Sequence, residues 1–205
     1  IVNLHDSALQ FEAIHRLLFG VEPEADLLEH LKSMTLRQGT AYCRETYHLE
    51  ATEEELMGLL ERRVHDFYHN EVQAKPGVAK FLSLLKMEGV WMYVATATHR
   101  RLTEKALKTA GIDHYFRGIV TSADAGNHKS ESADIYEMAM RRLQSNKRDT
   151  VVFEDALHAI RTAKAAGFRV AGVYEATAEQ DQPEIQRLCD YYIRSYEELV
   201  QSETF

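Results

Sequence analysis

Short apolar runs alternate with amphipathic stretches through the last two thirds of this chain, and that rhythm limits the fold more than any other feature. Val90-Trp91-Met92-Tyr93-Val94-Ala95 is nearly all apolar, as expected of a strand buried on both faces. Gly118 to Thr121, Thr150-Val151-Val152-Phe153 and Val170 to Tyr174 read as further strands, and Tyr191-Tyr192-Ile193 as a fifth. Between them lie helical segments. Val78 to Lys86 is amphipathic and closes at Gly89, and a helix from about Arg101 ends at Gly111. Another spans about Ala133 to Leu143, and one after Phe153 stops at Gly167. Strands and helices that alternate in this way form parallel β-α units, hence an α/β fold with an open, doubly wound, Rossmann-like sheet.

Before Pro76-Gly77 the rhythm is helical only. Phe11, Ile14, Leu17 and Leu18 fall on one helical face that Gly20 ends, and a second segment around Leu27, Leu28 and Leu31 follows Pro23. Thr35 can cap a third helix carrying Leu36, Arg37 and Tyr42. Thr52 and Glu55 form a capping box ahead of Leu56, Leu59, Leu60, Val64 and Phe67. The expected organisation is an all-helical cap domain at 4–73 and an α/β core at 74–205. The core also takes 1–3 and residues upstream of Ile1, because the chain opens inside an apolar pair with no initiator Met.

Composition removes several function classes. The 205 residues, 45% of them apolar and 27% charged, are enough to bury a real core. A net charge of −8 argues against nucleic acid or an anionic membrane as the main partner, so an anionic substrate needs a locally positive pocket. No apolar run approaches the roughly 18–20 residues of a membrane span, and no signal peptide is visible. Cys43 and Cys189 stand apart without a CxxC pattern, as free thiols do in a reducing cytoplasm. The expectation is a cytoplasmic monomer or weak dimer.

In doubly wound sheets ligands bind at the carboxyl ends of the strands. The first strand here runs into Thr96-Ala97-Thr98, the second into a loop ending Gly126-Asn127-His128-Lys129, and the third into Glu154-Asp155. A Thr hydroxyl beside exposed backbone N–H groups can hold phosphate oxygens, and Lys offsets the charge that develops during phosphoryl transfer. Adjacent carboxylates are hard oxygen donors suited to Mg²⁺. Each residue also has an ordinary reading: Thr96 or Asp155 as a helix cap, Glu154 as a first-turn acid, Lys129 as a surface lysine. Together, on successive strand ends, they favour the chemical reading.

Val94-Ala95-Thr96-Ala97-Thr98 resembles the second motif of the haloacid dehalogenase (HAD) phosphatases of the β-phosphoglucomutase type. Lys129 stands at the third-motif lysine, ahead of Ser130-Glu131-Ser132-Ala133-Asp134-Ile135-Tyr136, which has one residue more than the usual K-P-x-P-D-I-F/Y and lacks its prolines. Val151-Val152-Phe153-Glu154-Asp155-Ala156-Leu157-His158-Ala159-Ile160 is close to V-F-E-D-S-x-x-G-I, the Mg²⁺-binding fourth motif. Lys75-Pro76-Gly77-Val78 and Ala165-Ala166-Gly167 also fit. The resemblance implies a HAD core with a helical cap and Mg²⁺-dependent hydrolysis of a small phosphorylated metabolite through an aspartyl-phosphate. Under it Thr96, Ala97 and Lys129 bind phosphate, Thr96 and Lys129 act in catalysis, Asp155 and Glu154 hold the metal, and Arg37, in a stretch like the family's cap, meets the substrate.

The family's first motif, D-x-D-G-T, supplies the attacking Asp and a second Asp that serves as acid and base. No D-x-D occurs in these 205 residues. Either Asn3 and His5 replace the two acids, which implies an inactive binding protein, or Ile1-Val2-Asn3 lies just after the motif and the catalytic strand precedes Ile1. The second register is favoured, because Ile1-Val2 is too short for a buried strand of about five residues. A β-phosphoglucomutase-like sugar phosphotransferase is the other alternative. His65-Asp66-Phe67-Tyr68-His69 superficially mimics H-E-x-x-H, but a third zinc ligand and a Glu base are not evident, so solvated helix histidines explain it better.

Overall fold

The computed structural model describes Leu27, residues 36–126 and residues 132–201. The chain divides into two compact units, with the boundary between Glu71 and Val72. In the first, α1 (Leu36–Thr46) and α2 (Glu53–Asp66) run into a π-helical turn, Phe67–Glu71. The start of α2 is set by its cap. The Thr52 amide donates to Glu55 Oε2 at 2.8 Å, and the Glu55 amide donates back to Thr52 Oγ1 at 3.3 Å. Cys43 is buried in α1, and burial pushes its thiol up to about 11, far from a reactive thiolate. Of the expected helices between 9 and 31, only Leu27 is among the described residues; it is helical and buried.

The second unit alternates as its apolar pattern requires. Its elements are α3 (Val78–Met87), β1 (Met92–Thr96), α4 (Arg100–Thr109), β2 (Phe116–Thr121) and the short α5 (Ser122–Ala125). They continue with α6 (Asp134–Arg142), β3 (Val151–Glu154), α7 (Leu157–Ala165), β4 (Arg169–Val173), α8 (Gln182–Leu188), β5 (Tyr191–Ile193) and α9 (Tyr196–Gln201). β1 pairs with β2, and β3, β4 and β5 pair in that order, all parallel.

Side chains along these strands segregate to two apolar layers, the pattern of period two that a strand covered on both faces must show. Val152 and Val170 pack with Tyr136 and Ile135 of α6, Ile160 of α7 and Ile185 of α8. Val151, Phe153, Ala171 and Val173 pack with Phe81 of α3, Leu107 of α4 and Tyr196 of α9. Residues of β1 and β2 enter both layers, Tyr93 and Val120 the first, Val94 and Ile119 the second. Helices therefore cover both faces of the strands, which is the doubly wound α/β arrangement.

One boundary differs from expectation. β1 begins at Met92, leaving Val90 at 44% and Trp91 at 48% exposure, outside the buried part of the run. The Arg117 guanidinium lies 3.4 Å above the Trp91 ring centre, so this indole is covered by a cation instead of by the core.

Gly77, at the entry to α3, has φ +81° and sits against α9. A Cβ there would stand 2.5 Å from the Glu197 nitrogen, so only glycine allows both the turn and the approach. Two residues earlier, Lys75 Nζ donates to Glu175 Oε2 at 2.6 Å and to the Tyr174 carbonyl at 3.2 Å. This ion pair is largely buried and ties the segment that leads into α3 to the carboxyl end of β4.

Candidate active site

β3 delivers the carboxylates. Because Val151 and Phe153 face one layer and Val152 the other, Glu154 follows Val152 toward α6 and becomes a buried carboxylate. Buried acids need donors. The Tyr136 hydroxyl donates to Glu154 Oε2 at 3.0 Å, and the Asp155 and Ala156 amides approach Oε1 at 3.4 Å each. Burial first, then the charge of Glu154 and the hydrogen bond to it, hold the Tyr136 hydroxyl far above its ordinary pKa. It therefore remains a donor throughout the physiological range.

Asp155 is half-buried and immediately follows the strand. The N-cap of α7 is Ala156, with no side-chain cap bond, so Asp155 is not the cap of that helix. Glu154 ends β3, so the reading of it as a first-turn acid does not hold either. Thr96 ends β1, and its Oγ1 accepts from the Thr98 amide at 3.1 Å, closing a local turn. The N-cap of α4 is His99, so Thr96 is not a helix cap. That turn holds Thr96 half-buried and Ala97 exposed at the carboxyl end of its strand.

At the end of β2, Thr121 caps α5. Its amide donates to Asp124 Oδ2 at 2.7 Å, and Arg100 Nη2 reaches the same oxygen at 2.8 Å. Lys129 lies beyond this, outside the described residues, as do Asn3 and His5. Arg37 is the second residue of α1, in the other unit. The structure thus places Thr96, Ala97, Glu154 and Asp155 at strand carboxyl ends within one unit.

Two interactions were not legible in the sequence. Tyr136 was visible as the last residue of the third-motif stretch, but nothing local marks it as the donor to a carboxylate 18 residues away. Lys75 and Glu175 are 100 residues apart. Lys75 was legible only as part of Lys75-Pro76-Gly77-Val78, and nothing pointed to Glu175.

The donor set can be tested against Mg²⁺. Among the described residues, no three His, Cys, Asp or Glu side chains group as a protein-only metal cage would require. One carboxylate anchored by a tyrosine, with a second beside it, suits a hard ion that takes one or two carboxylates and keeps waters and substrate oxygens for the rest. The described residues fit Mg²⁺ in that sense. His65 and His69 do not make a competing centre. Their rings stack at 3.7 Å, and His69 Nδ1 lies 2.8 Å from the His65 carbonyl oxygen.

The sequence matches the family model described as haloacid dehalogenase-like hydrolase over residues 4–173. The chain belongs to the haloacid dehalogenase-like hydrolases. A phosphorylated carbohydrates phosphatase of Thermotoga maritima is 27% identical over 179 residues, covering 84% of this chain and 81% of that protein. A pyrophosphatase of Halalkalibacterium halodurans is 29% identical over 147 residues, covering 72% of this chain and 67% of that protein. Among solved structures, a Thermotoga maritima protein assigned as a β-phosphoglucomutase superposes with a TM-score of 0.83 at 23% identity, over 100% of this chain and 95% of that one. CbbY from Rhodobacter sphaeroides, solved with phosphate, gives 0.66 at 21% identity, over 97% and 91%. These likenesses establish the HAD fold for the chain. Its family relatives include phosphatases, and no helix among the described residues is long and apolar enough to cross a membrane.

Proposed function

We propose that this protein is a Mg²⁺-dependent phosphatase that hydrolyses a small phosphomonoester. The carboxylate pair at the end of β3, with Glu154 held by Tyr136 and Asp155 beside it, is the observation that carries the reading. Family membership over 4–173 and relatives named as phosphatases support it.

In this reading the Thr96 hydroxyl and the Ala97 amide hold phosphate oxygens. Lys129 offsets the charge spread over those oxygens as the ester bond to phosphorus breaks. Asp155 would hold Mg²⁺, with Glu154 as the neighbouring carboxylate, and the ion when bound supplies charge neutralisation to substrate and nucleophile. Glu154 is turned toward Tyr136, so its share is mainly to fix the backbone from which Asp155 projects. The net reaction leaves an alcohol and inorganic phosphate whose fourth oxygen comes from water. An aspartyl-phosphate intermediate requires the D-x-D motif, which these residues do not contain. Residues 4–73 are proposed as the cap, with Arg37 as a substrate contact.

The experiment is a panel of sugar phosphates, nucleotides and pyrophosphate assayed with the full-length protein, with and without Mg²⁺. Hydrolysis that stops with chelator is the expected result. Asp155→Ala and Lys129→Ala should each lower turnover by about 10²-fold or more while leaving circular dichroism unchanged. Unchanged rates in both variants would refute the site.

A further inference from the structure

Tyr196 opens α9 just beyond the end of β5 and is 3% exposed. Its ring packs on Phe81 with centroids 5.3 Å apart, and Phe81 packs on Phe153 at 5.8 Å. The Tyr196 backbone crosses Gly77 so closely that a Cβ there would stand 2.6 Å from the Tyr196 carbonyl carbon. The ring packs on Phe81, the backbone packs on Gly77, and the hydroxyl is out of contact with water. Yet that buried hydroxyl has no hydrogen-bond partner among the described residues. An unpaired buried O–H destabilises a fold, and phenylalanine would fill the same space without it.

Strand register indicates what lies near. Glu154 stands opposite Gly172 in β4, and Val173 stands opposite Ile193 in β5, so the segments after β3, β4 and β5 emerge along one edge. Phe153 faces the layer that contains Tyr196, and Glu154 faces the layer that contains Tyr136. Asp155 comes directly after the strand, two residues beyond Phe153 of the Tyr196 layer, and its charge is felt at both Tyr136 and Tyr196. Burial first, and then the Asp155 carboxylate, hold the Tyr196 hydroxyl above its ordinary pKa, which agrees with that placement. The end of β3 thus has one tyrosine from each layer beside it, and one of the two already donates to a carboxylate there.

We propose that Tyr196 is a positioning residue of the metal site, its hydroxyl donating to the Asp155 carboxylate, directly or through one water, when Mg²⁺ is bound. The inference rests on the reading of Asp155 as a Mg²⁺ ligand. It concerns orientation of the ligand, not contact with substrate, and it predicts that stability and metal affinity move in opposite directions on loss of one oxygen atom.

The test titrates the full-length protein with MgCl₂ by calorimetry and follows thermal unfolding without metal, for the parent, Tyr196→Phe and Asp155→Asn. Tyr196→Phe is expected to raise the metal-free Tm by about 2–4 °C and to weaken Mg²⁺ binding about tenfold. If Asp155→Asn loses Mg²⁺ binding and Tyr196→Phe keeps the parental affinity, the inference is overturned and the site reading stands. If neither substitution changes the affinity, the site reading falls and takes the inference with it. A lower metal-free Tm for Tyr196→Phe also overturns it, since the hydroxyl would then be serving the fold.

Discussion

Tyr136 and Tyr196 are both buried, both lie beside the end of β3, and differ in whether the hydroxyl has a partner. Removing the Tyr136 oxygen takes a donor from buried Glu154, so Tyr136→Phe should cost about 1–3 kcal/mol. Its urea midpoint should fall with the slope unchanged. An unaltered midpoint would show that Glu154 does not depend on that bond. The same chemical change at Tyr196 is expected to act with the opposite sign on stability. The sequence places Tyr136 in the third-motif stretch and leaves Tyr196 unremarked, but nothing in it tells which hydroxyl finds a partner. Glu154 and Asp155 were legible because two acids directly after three apolar residues are hard to explain otherwise. Asp155 and Thr96 also had a competing reading as caps, and only the backbone separates the alternatives. The helices that follow are capped at Ala156 and His99.

Among the elements, strands and crossover helices were readable because apolar runs and amphipathic periodicity report burial directly. Their ends were less so. Val90 and Trp91 look like core residues, but the strand reaches the apolar layers only from Met92, and a cation over the indole substitutes for packing. The turn between α8 and β5 shows another device hidden from local pattern. Asp190 accepts from Lys164 Nζ at 2.7 Å and from the Val170 amide at 2.7 Å, joining α7, β4 and β5. The Lys164 hydrogen bond, ahead of the Val170 amide, holds its carboxyl below the usual range. A folded pKa below the unfolded value stabilises above about pH 3.9, and that contribution is lost as pH falls through the folded pKa. Asp190→Asn should therefore be less stable than the parent at pH 7, with the gap closing below about pH 4. Denaturant midpoints across pH check this, and a gap that stays constant would exclude the ion pair as its source.

For the whole molecule, the doubly wound class followed from the order of elements, whereas contacts between distant parts did not. Lys75 and Glu175 are 15% and 11% exposed, so each depends on the other to be tolerated in the interior. Lys75→Ala should destabilise by about 3 kcal/mol or more by stranding a buried carboxylate, and Lys75→Met with Glu175→Leu should recover most of the loss. A double variant as unstable as the single one would mean that packing, not charge, is what Lys75 contributes. Along β3, spacing carries more than identity. Val151 and Phe153 belong to one layer, Val152 and Glu154 to the other, and the two tyrosines wait on opposite sides. A substitution in the strand changes one contact. Insertion or deletion of a single residue would send every later side chain to the wrong face, offering Asp155 to Tyr136 and Glu154 to the Phe81 side. The strand therefore behaves like a reading frame, tolerant of altered letters and intolerant of a slipped count.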